Sequence, residues 1–317
     1  MIEFKDVTKV YGDQTVLKDL NLTINAGELY VLVGPSGSGK TTSVKMINQL
    51  IKPTSGTIKI DGKDINDYDL RKLRLGTGYV LQNIALFPNL NIQDNIVIQL
   101  EELKVPKEER IERARDLLEQ VGLEPDKYAE RMPDELSGGE QQRVGITRAL
   151  ATNPNIILMD EAFSALDPIS RKQLQDIVLE LHAKAKYNMT IVFVTHDMRE
   201  ALRLGTRIAI INQGELQQVG TQEEILNQPA NDFVKSFFKG EQETEVATAG
   251  KVIIQGYGHK SEDSDDVFRV SFEDELPALI SAVREHKQVR IVFHDANYLL
   301  TIDDVLDFIE NKEAANE

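Results

Sequence analysis

The sequence predicts a parallel α/β sheet that carries a phosphate loop. An antiparallel β region precedes it, a helical insertion interrupts it, and a small acidic α+β module follows it. Three observations carry this expectation. Short apolar runs without a polar face recur between helical segments, as in ELYVLV (28–33), NIILMDE (155–161) and TIVFVTHD (190–197). Such runs read as strands buried on both sides, the mark of a parallel sheet covered by helices. The first of them leads straight into GPSGSGKTT (34–42). Finally, acidity is concentrated at the C-terminal end: residues 241–317 hold 18 acidic and 7 basic side chains, −11 of a net −16.

In chain order, residues 1–25 alternate apolar and polar positions around turn residues, as short antiparallel strands do. Strand 28–33 and the glycine loop are followed by a helical segment. SGTIKIDG (55–62) is a strand bracketed by glycines, and LGTGYVLQ (75–82) a further strand. Residues 94–131 are rich in charge with apolar positions at helical spacing, an inserted helical region. Strand 155–161 precedes a helix over 167–184, where Pro168 falls in the first turn. Strand 190–197 follows. The polar stretch GEQETEVATAG (240–250) reads as a linker, so the expected units are 1–240, a linker 241–250, and 251–317. Within the last unit, 267–310 patterns as strand, helix, strand, strand, helix.

Composition narrows the function classes. The chain has no cysteine, so no disulfide or thiolate chemistry, which fits a reducing compartment. Its N-terminus lacks the pattern of a signal peptide, and no run approaches the ~18 apolar residues that read as a membrane span. Net acidity argues against a nucleic-acid partner, which needs Lys and Arg to neutralise phosphates.

Chemistry concentrates at two places. Gly34, Pro35, Ser36, Gly37, Ser38, Gly39, Lys40, Thr41 and Thr42 lie between a strand and a helix, the context in which G-x-x-x-x-G-K-[ST] binds nucleotide phosphates. Glycines let successive N–H groups turn inward as an anion nest, and the helix adds its positive end. Lys40 offers a charge to the β- and γ-phosphates and the Thr41 hydroxyl a ligand to Mg²⁺. Asp160 ends an apolar strand, where a carboxylate that holds Mg²⁺ belongs, and Glu161 beside it can act as general base on an attacking water. The second place is LSGGEQQR (136–143), a glycine pair followed by good helix formers. A pair of glycines is costly in ordered structure. Ser137, the amides of Gly138 and Gly139 and a helix start can form a second anion site.

With these residues in view, the chain resembles the ATP-binding subunit of an ABC transporter over residues 1–240. LSGGE (136–140) is similar to the family's signature, Gln82 to its Q-loop, SALD (164–167) to its D-loop and His196 in VTHD to its H-loop. Tyr11 sits where the family stacks an aromatic ring on adenine. The resemblance implies a P-loop NTPase fold with a RecA-like parallel core, an antiparallel β subdomain and a helical insertion. It implies ATP and Mg²⁺ as cofactors. Glu161 and His196 would be catalytic, and Thr41, Gln82 and Asp160 would serve the metal. The loop 34–42, Tyr11 and Gln82 would serve the nucleotide from one copy. Ser137, Gly138, Gly139, Glu140 and Asp167 would come from a second copy in a head-to-tail dimer.

Finer wording in KMINQLIKPTSGTI, YVLQNIALFPNLNIQDNI and LMDEAFSALDP is similar to importers of quaternary amines such as glycine betaine, carnitine and choline. Ala162 departs from the proline common in the wider family. The resemblance implies integral membrane permease partners, an extracellular binding protein acting indirectly, and a place at the cytoplasmic face of the membrane. Alternatives are the ATPase of an amino-acid or polyamine importer and a soluble non-transport ABC ATPase. The last segment resembles a single degenerate CBS-type repeat. Thr301 and Asp304 match that family's T-x-x-D, while Tyr298 replaces its glycine. A structural or dimerisation module is expected there, with ionic-strength sensing as a second reading of its acidity.

Overall fold

The computed structural model describes residues 1–314 apart from 83–84, 165, 186–188, 244–247, 255, 262–266, 273 and 294–295. Two compact units emerge, Met1–Phe238 and Lys239–Glu317.

The first unit begins with strands β1 (Ile2–Tyr11) and β2 (Gln14–Ile24), paired antiparallel around the turn at Gly12. Their one-sided burial follows the alternation of their residues, with Ile2, Phe4, Val7, Leu20, Leu22 and Ile24 inside. Strand β3 (Leu29–Val33) is buried at every position and runs through the glycine loop into helix α1 (Lys40–Ile47). Strands β4 (Ser55–Ile60) and β5 (Lys63–Asp64) complete a four-stranded sheet in the order β2-β1-β4-β5. Helix α2 (Leu70–Leu75), capped by Asp69, leads into β6 (Thr77–Val80), two residues shorter at each end than the expected strand.

The helical insertion comprises α3 (Ile92–Glu102), α4 (Lys107–Gln120) and α5 (Pro125–Tyr128), and α6 (Gly138–Leu150) returns the chain to the sheet. Strand β7 (Ile156–Asp160), helix α7 (Pro168–Lys184), strand β8 (Thr190–Thr195) and helix α8 (Met198–Leu204) follow. Strands β9 (Arg207–Asn212) and β10 (Glu215–Gly220) and helix α9 (Gln222–Asn227) follow, and helix α10 (Asp232–Glu243) begins in this unit and runs past its last residue, Phe238.

The main sheet has the order β10-β9-β3-β8-β7-β6. Alternation explains why its central strands lack a polar face. In β3, Leu29, Val31 and Val33 enter one core while Tyr30 and Leu32 enter another, and β7 and β8 divide likewise. One strand departs from the expected parallel sheet: β10 is antiparallel to β9. A two-residue turn, Gln213-Gly214, joins them with both φ angles positive, and a turn that short permits only antiparallel pairing.

The second unit holds α11 (Ala249–Ile254), β11 (His259–Ser261), α12 (Leu276–His286), β12 (Gln288–Phe293), β13 (Ala296–Thr301) and α13 (Ile302–Ala314). The sheet order is β11-β13-β12, packed on Val252, Leu279, Val283, Leu300, Val305 and Phe308. Two expectations are corrected. The strand expected from residue 267 reduces to one parallel bridge, Arg269 to Arg290. The Asp274 carboxylate accepts from the Ser271 amide and the Gly250 amide donates to the Phe272 carbonyl, so the chain turns away from the ladder. The linker is also shorter than 241–250. Helix α10, started by the Asn231 side chain on the Val234 amide, continues to Glu243, and α11 begins at Ala249. Residues 244–247 lie outside the described residues.

Candidate nucleotide site

The glycine loop is shaped by contacts that only glycine permits. At Gly39, φ is +101°, and a Cβ there would sit 2.5 Å from Leu17 Cδ2 and 2.9 Å from the Val16 carbonyl oxygen. At Gly37, φ is +78°, yet a Cβ would meet no atom within 4 Å. The loop thus presses on β2 at one glycine and opens at the other. It closes around Lys40, which is 3% exposed. The Lys40 ammonium donates to the carbonyl oxygens of Gly34 (2.7 Å) and Pro35 (2.9 Å) and approaches Ser38 Oγ at 3.4 Å. Burial lowers the pKa of Lys40, and the charges of Glu161 and Asp160 oppose that shift. Ser36 and Gly37 are exposed at the loop tip, Ser38 and Gly39 are buried, and Pro35, Thr41 and Thr42 are half-buried.

Asp160 lies at the end of β7, where the sheet delivers its carboxylate beside α1. The Thr41 hydroxyl donates to Asp160 Oδ1 at 2.7 Å and the Tyr79 hydroxyl to Oδ2 at 3.3 Å. Glu161 leaves the strand with φ +49°, a left-handed conformation unusual for a residue with a side chain. Its amide still donates to the Val194 carbonyl at 3.0 Å, which fixes the turn against β8. The two neighbouring carboxylates therefore serve different partners: Glu161 Oε1 faces His196 Nδ1 at 3.5 Å. The hydroxyl–carboxylate pair of Thr41 and Asp160 is a set of hard oxygen donors, which suits Mg²⁺. Beside a buried ammionium and an open glycine turn, it suits a nucleotide phosphate chain as well.

The signature turn lies apart from this cluster. Ser137 caps α6, and its hydroxyl and amide both donate to Glu140 Oε2 at 2.8 Å, while the Glu140 amide donates back to Ser137 Oγ at 3.4 Å. The Tyr128 hydroxyl donates to Glu140 Oε1 at 2.6 Å. Gly138 and Gly139 start the helix with no positive φ, so backbone geometry does not require glycine there. A Cβ at Gly138 would meet nothing within 4 Å. Asp167 caps α7, accepting from the amides of Ile169 (3.1 Å) and Ser170 (3.0 Å). Ala165 of the same stretch lies outside the described residues. Tyr11 is 46% exposed at the end of β1, with Lys9 Nζ 4.6 Å from its ring centre. Gln82 is exposed beyond β6. Among the described residues, Tyr11, Gln82, Ser137–Glu140 and Asp167 make no hydrogen bond or ion pair with the Lys40–Asp160–Glu161–His196 group.

Sequence reasoning did not single out Tyr79, Tyr128, Arg171 or Glu200. A tyrosine in a half-buried strand needs a partner for its hydroxyl, which was the available signal for Tyr79. Burial, followed by the Asp160 charge and hydrogen bond, raises the pKa of that hydroxyl. In the second unit, Thr301 and Asp304 are taken up at the start of α13. Asp304 Oδ2 accepts from the Thr301 hydroxyl (2.7 Å) and amide (2.8 Å), and its Oδ1 accepts from the Gly258 amide (3.3 Å).

Comparison with known proteins agrees with this geometry. Residues 17–164 match the ABC transporter family. The chain is 51% identical over 243 residues to the glycine betaine/carnitine/choline transport ATP-binding protein OpuCA of Bacillus subtilis (strain 168), covering 76% of this chain and 63% of that protein. It is 51% identical over 237 residues to the glycine betaine/proline betaine transport system ATP-binding protein ProV of Escherichia coli (strain K12), covering 74% of this chain and 58% of that protein. The match therefore spans about six-tenths of the length of these relatives. Among solved structures, the dimeric post-hydrolysis state of the ATP-binding cassette MJ0796 bound to ADP and Pi superposes with a TM-score of 0.63 at 38% identity. It covers 70% of this chain and 99% of that one.

Proposed function

The chain belongs to the ABC transporter family and carries its ATPase fold, and we propose that it is the ATP-hydrolysing subunit of an importer of quaternary-amine osmoprotectants. The observation that carries the catalytic part is the convergence of Lys40, the Thr41–Asp160 pair and the Glu161–His196 pair at the end of one sheet. The names of relatives about half identical to it support a solute of the glycine betaine, carnitine and choline class.

In this reading the chain acts as follows. Loop 34–42 wraps the phosphates of ATP with its amides, and Lys40 exchanges its loop carbonyls for phosphate oxygens. Tyr11 stacks on adenine. Thr41, Asp160 and Gln82 would hold Mg²⁺, which would supply charge neutralisation on the β- and γ-phosphates. Glu161 accepts a proton from the water that attacks the γ-phosphorus as the bond to ADP breaks. His196 directs its Nδ1 side to Glu161, leaving Nε2 for a γ-phosphate oxygen. Positioning and charge stabilisation supply most of the acceleration, as in phosphoryl transfer generally. A second copy completes the site with Ser137, Gly138, Gly139, Glu140 and Asp167, an arrangement that a two-fold axis generates. Closure of the two copies is passed to membrane permease subunits at the cytoplasmic face, with an extracellular binding protein delivering the solute. Residues 251–317 serve as a degenerate CBS-like repeat with a structural or dimerisation role; the bonding of Thr301 to Asp304 at the start of α13 supports a structural use of that pair.

The test has two parts. The full chain hydrolyses ATP, and Glu161→Gln binds ATP, turns it over at least about 100-fold more slowly and accumulates as a dimer. Normal turnover by Glu161→Gln removes that residue from the chemistry. The complex copurified from gently solubilised membranes and reconstituted into vesicles takes up radiolabelled glycine betaine, carnitine or choline when ATP is supplied. Uptake of none of the three overturns the solute class.

A further inference from the structure

His196 lies between two residues that are each held by side chains outside the catalytic cluster. Thr195 Oγ1 donates to Glu200 Oε2 at 2.7 Å and accepts from the Asp197 amide at 2.9 Å. Asp197 caps α8, accepting from the amides of Arg199 (2.8 Å) and Glu200 (3.3 Å). Glu200 is 5% exposed and also accepts from Gln175 Nε2 at 3.3 Å. Such a carboxylate is tolerated inside a protein only when it is closely partnered.

Arg171, on α7, joins this loop to the turn that ends on Asp167. Its Nη2 donates to the Leu166 carbonyl at 3.2 Å, its Nη1 lies 3.5 Å from Asp197 Oδ2, and its Nε lies 3.8 Å from Glu200 Oε1. One planar guanidinium thus donates to the Leu166 carbonyl and to Asp197, while its buried Nε stands at ion-pair distance from Glu200 on α8 without a hydrogen bond, a fork an ammonium cannot reproduce. A half-buried ion pair of this kind adds little net stability, because desolvation offsets attraction. Its consequence is geometric: the 166–167 turn and the 195–197 loop share one guanidinium, so a shift of either strains its bond to the other.

We propose that Arg171 is a positioning residue that clamps the 166–167 turn to the loop carrying His196, and so sets where the imidazole stands relative to Glu161. The inference rests on the reading of His196 as part of an ATPase site. The full-length protein carrying Arg171→Gln or Arg171→Lys, each with and without His196→Ala, tests it.

A displacement near 1 Å costs on the order of 100-fold in rate. With His196 present, Arg171→Gln therefore lowers kcat by about 10- to 100-fold and leaves KM for ATP within about twofold. Arg171→Lys restores only part of the loss. With His196→Ala, Arg171→Gln has no further effect, since the clamp has nothing left to position. Wild-type kcat in Arg171→Gln, or an equal loss in both backgrounds, overturns the proposal. Amide exchange separates this outcome from failure of the ATPase reading. The Asp197 amide exchanges at least about tenfold faster in Arg171→Gln, while amides of β3 keep their wild-type rates. Unchanged exchange at Asp197 overturns the clamp even if ATP is hydrolysed normally. A wild-type chain that hydrolyses no ATP overturns the ATPase reading, and the exchange data then decide the clamp alone.

Discussion

Gly39→Ala tests whether the phosphate loop is preformed against β2. Two penalties add at this position. An alanine with φ near +101° costs about 1–2 kcal/mol for left-handed strain. Its Cβ also lands 2.5 Å from Leu17 Cδ2 and 2.9 Å from the Val16 carbonyl oxygen, and Leu17 is fully buried, so overpacking adds about 1–3 kcal/mol. The sum centres on about 3.5 kcal/mol, which lowers the melting temperature of a unit of this size by roughly 7–14 °C. Gly37→Ala is the internal control. Its φ is also positive, but a Cβ meets nothing within 4 Å, so only the strain remains, about 1–2 kcal/mol or roughly 2–8 °C. Differential scanning calorimetry of the full chain without nucleotide reads both. A Gly39→Ala protein that melts within about 1 °C of wild type, or one less affected than Gly37→Ala, refutes the close approach of the loop to Leu17.

Three further outcomes follow from the sites. Ser137→Arg leaves ATP affinity within about threefold but lowers hydrolysis on the order of 100- to 1,000-fold, because the defect is in the contact between copies; equilibrium nucleotide binding and phosphate release measure the two separately. Tyr128→Phe removes the hydrogen bond that, ahead of the opposing effect of burial and with help from Ser137, holds the Glu140 carboxyl below its ordinary 4.5. A depressed carboxyl pKa contributes stability that is present above pH 4.5 and lost as pH falls through the folded value. The variant therefore loses about 1 kcal/mol at pH 7 and less below pH 4, as read from melting curves across that range; a loss that does not shrink in acid refutes the assignment. Asp304→Asn weakens the cap of α13 by about 1 kcal/mol at pH 7, and the difference likewise narrows in acid, since Thr301 and Gly258 outweigh burial to keep this carboxyl low.

The central strands were legible because each is buried on both faces, which leaves an unbroken apolar run such as Tyr30–Val33. The phosphate loop was legible because its motif is a short contiguous run between a strand and a helix, although the contacts that require glycine at position 39 come from Val16 and Leu17 on β2. What escaped the sequence depends on contacts between distant segments. The left-handed turn at Glu161 is set by its amide on Val194, and no local pattern encodes that. The pairing of Arg171 with Asp197 and Glu200 joins α7 to the cap and first turn of α8, 26–29 residues away in sequence. At the signature turn a legible signal was passed over: Ser137-x-x-Glu140 is a capping box, and it accounts for the helix start without any strain at Gly138 or Gly139. Backbone conformation requires neither glycine: a Cβ would meet open space at Gly138 and only an ordinary 3.4 Å contact with Ser170 at Gly139. Helix α10 was missed beyond 240 because Gly240 and the polar residues after it read as a linker, while Val234 and Phe238 on its buried side anchor the helix.

The most direct test of the composite ATP site mixes two inactive chains. Lys40→Ala removes the phosphate-loop charge and Ser137→Arg blocks the signature turn, and each protein alone hydrolyses ATP at about 1% of the wild-type rate or less. In a mixed dimer one site combines the intact loop of one chain with the intact signature turn of the other. The account predicts that mixing restores ATPase activity, approaching about half the wild-type rate per mixed dimer if the two sites turn over independently. No recovery in a verified mixed dimer, or full activity in either variant alone, contradicts it.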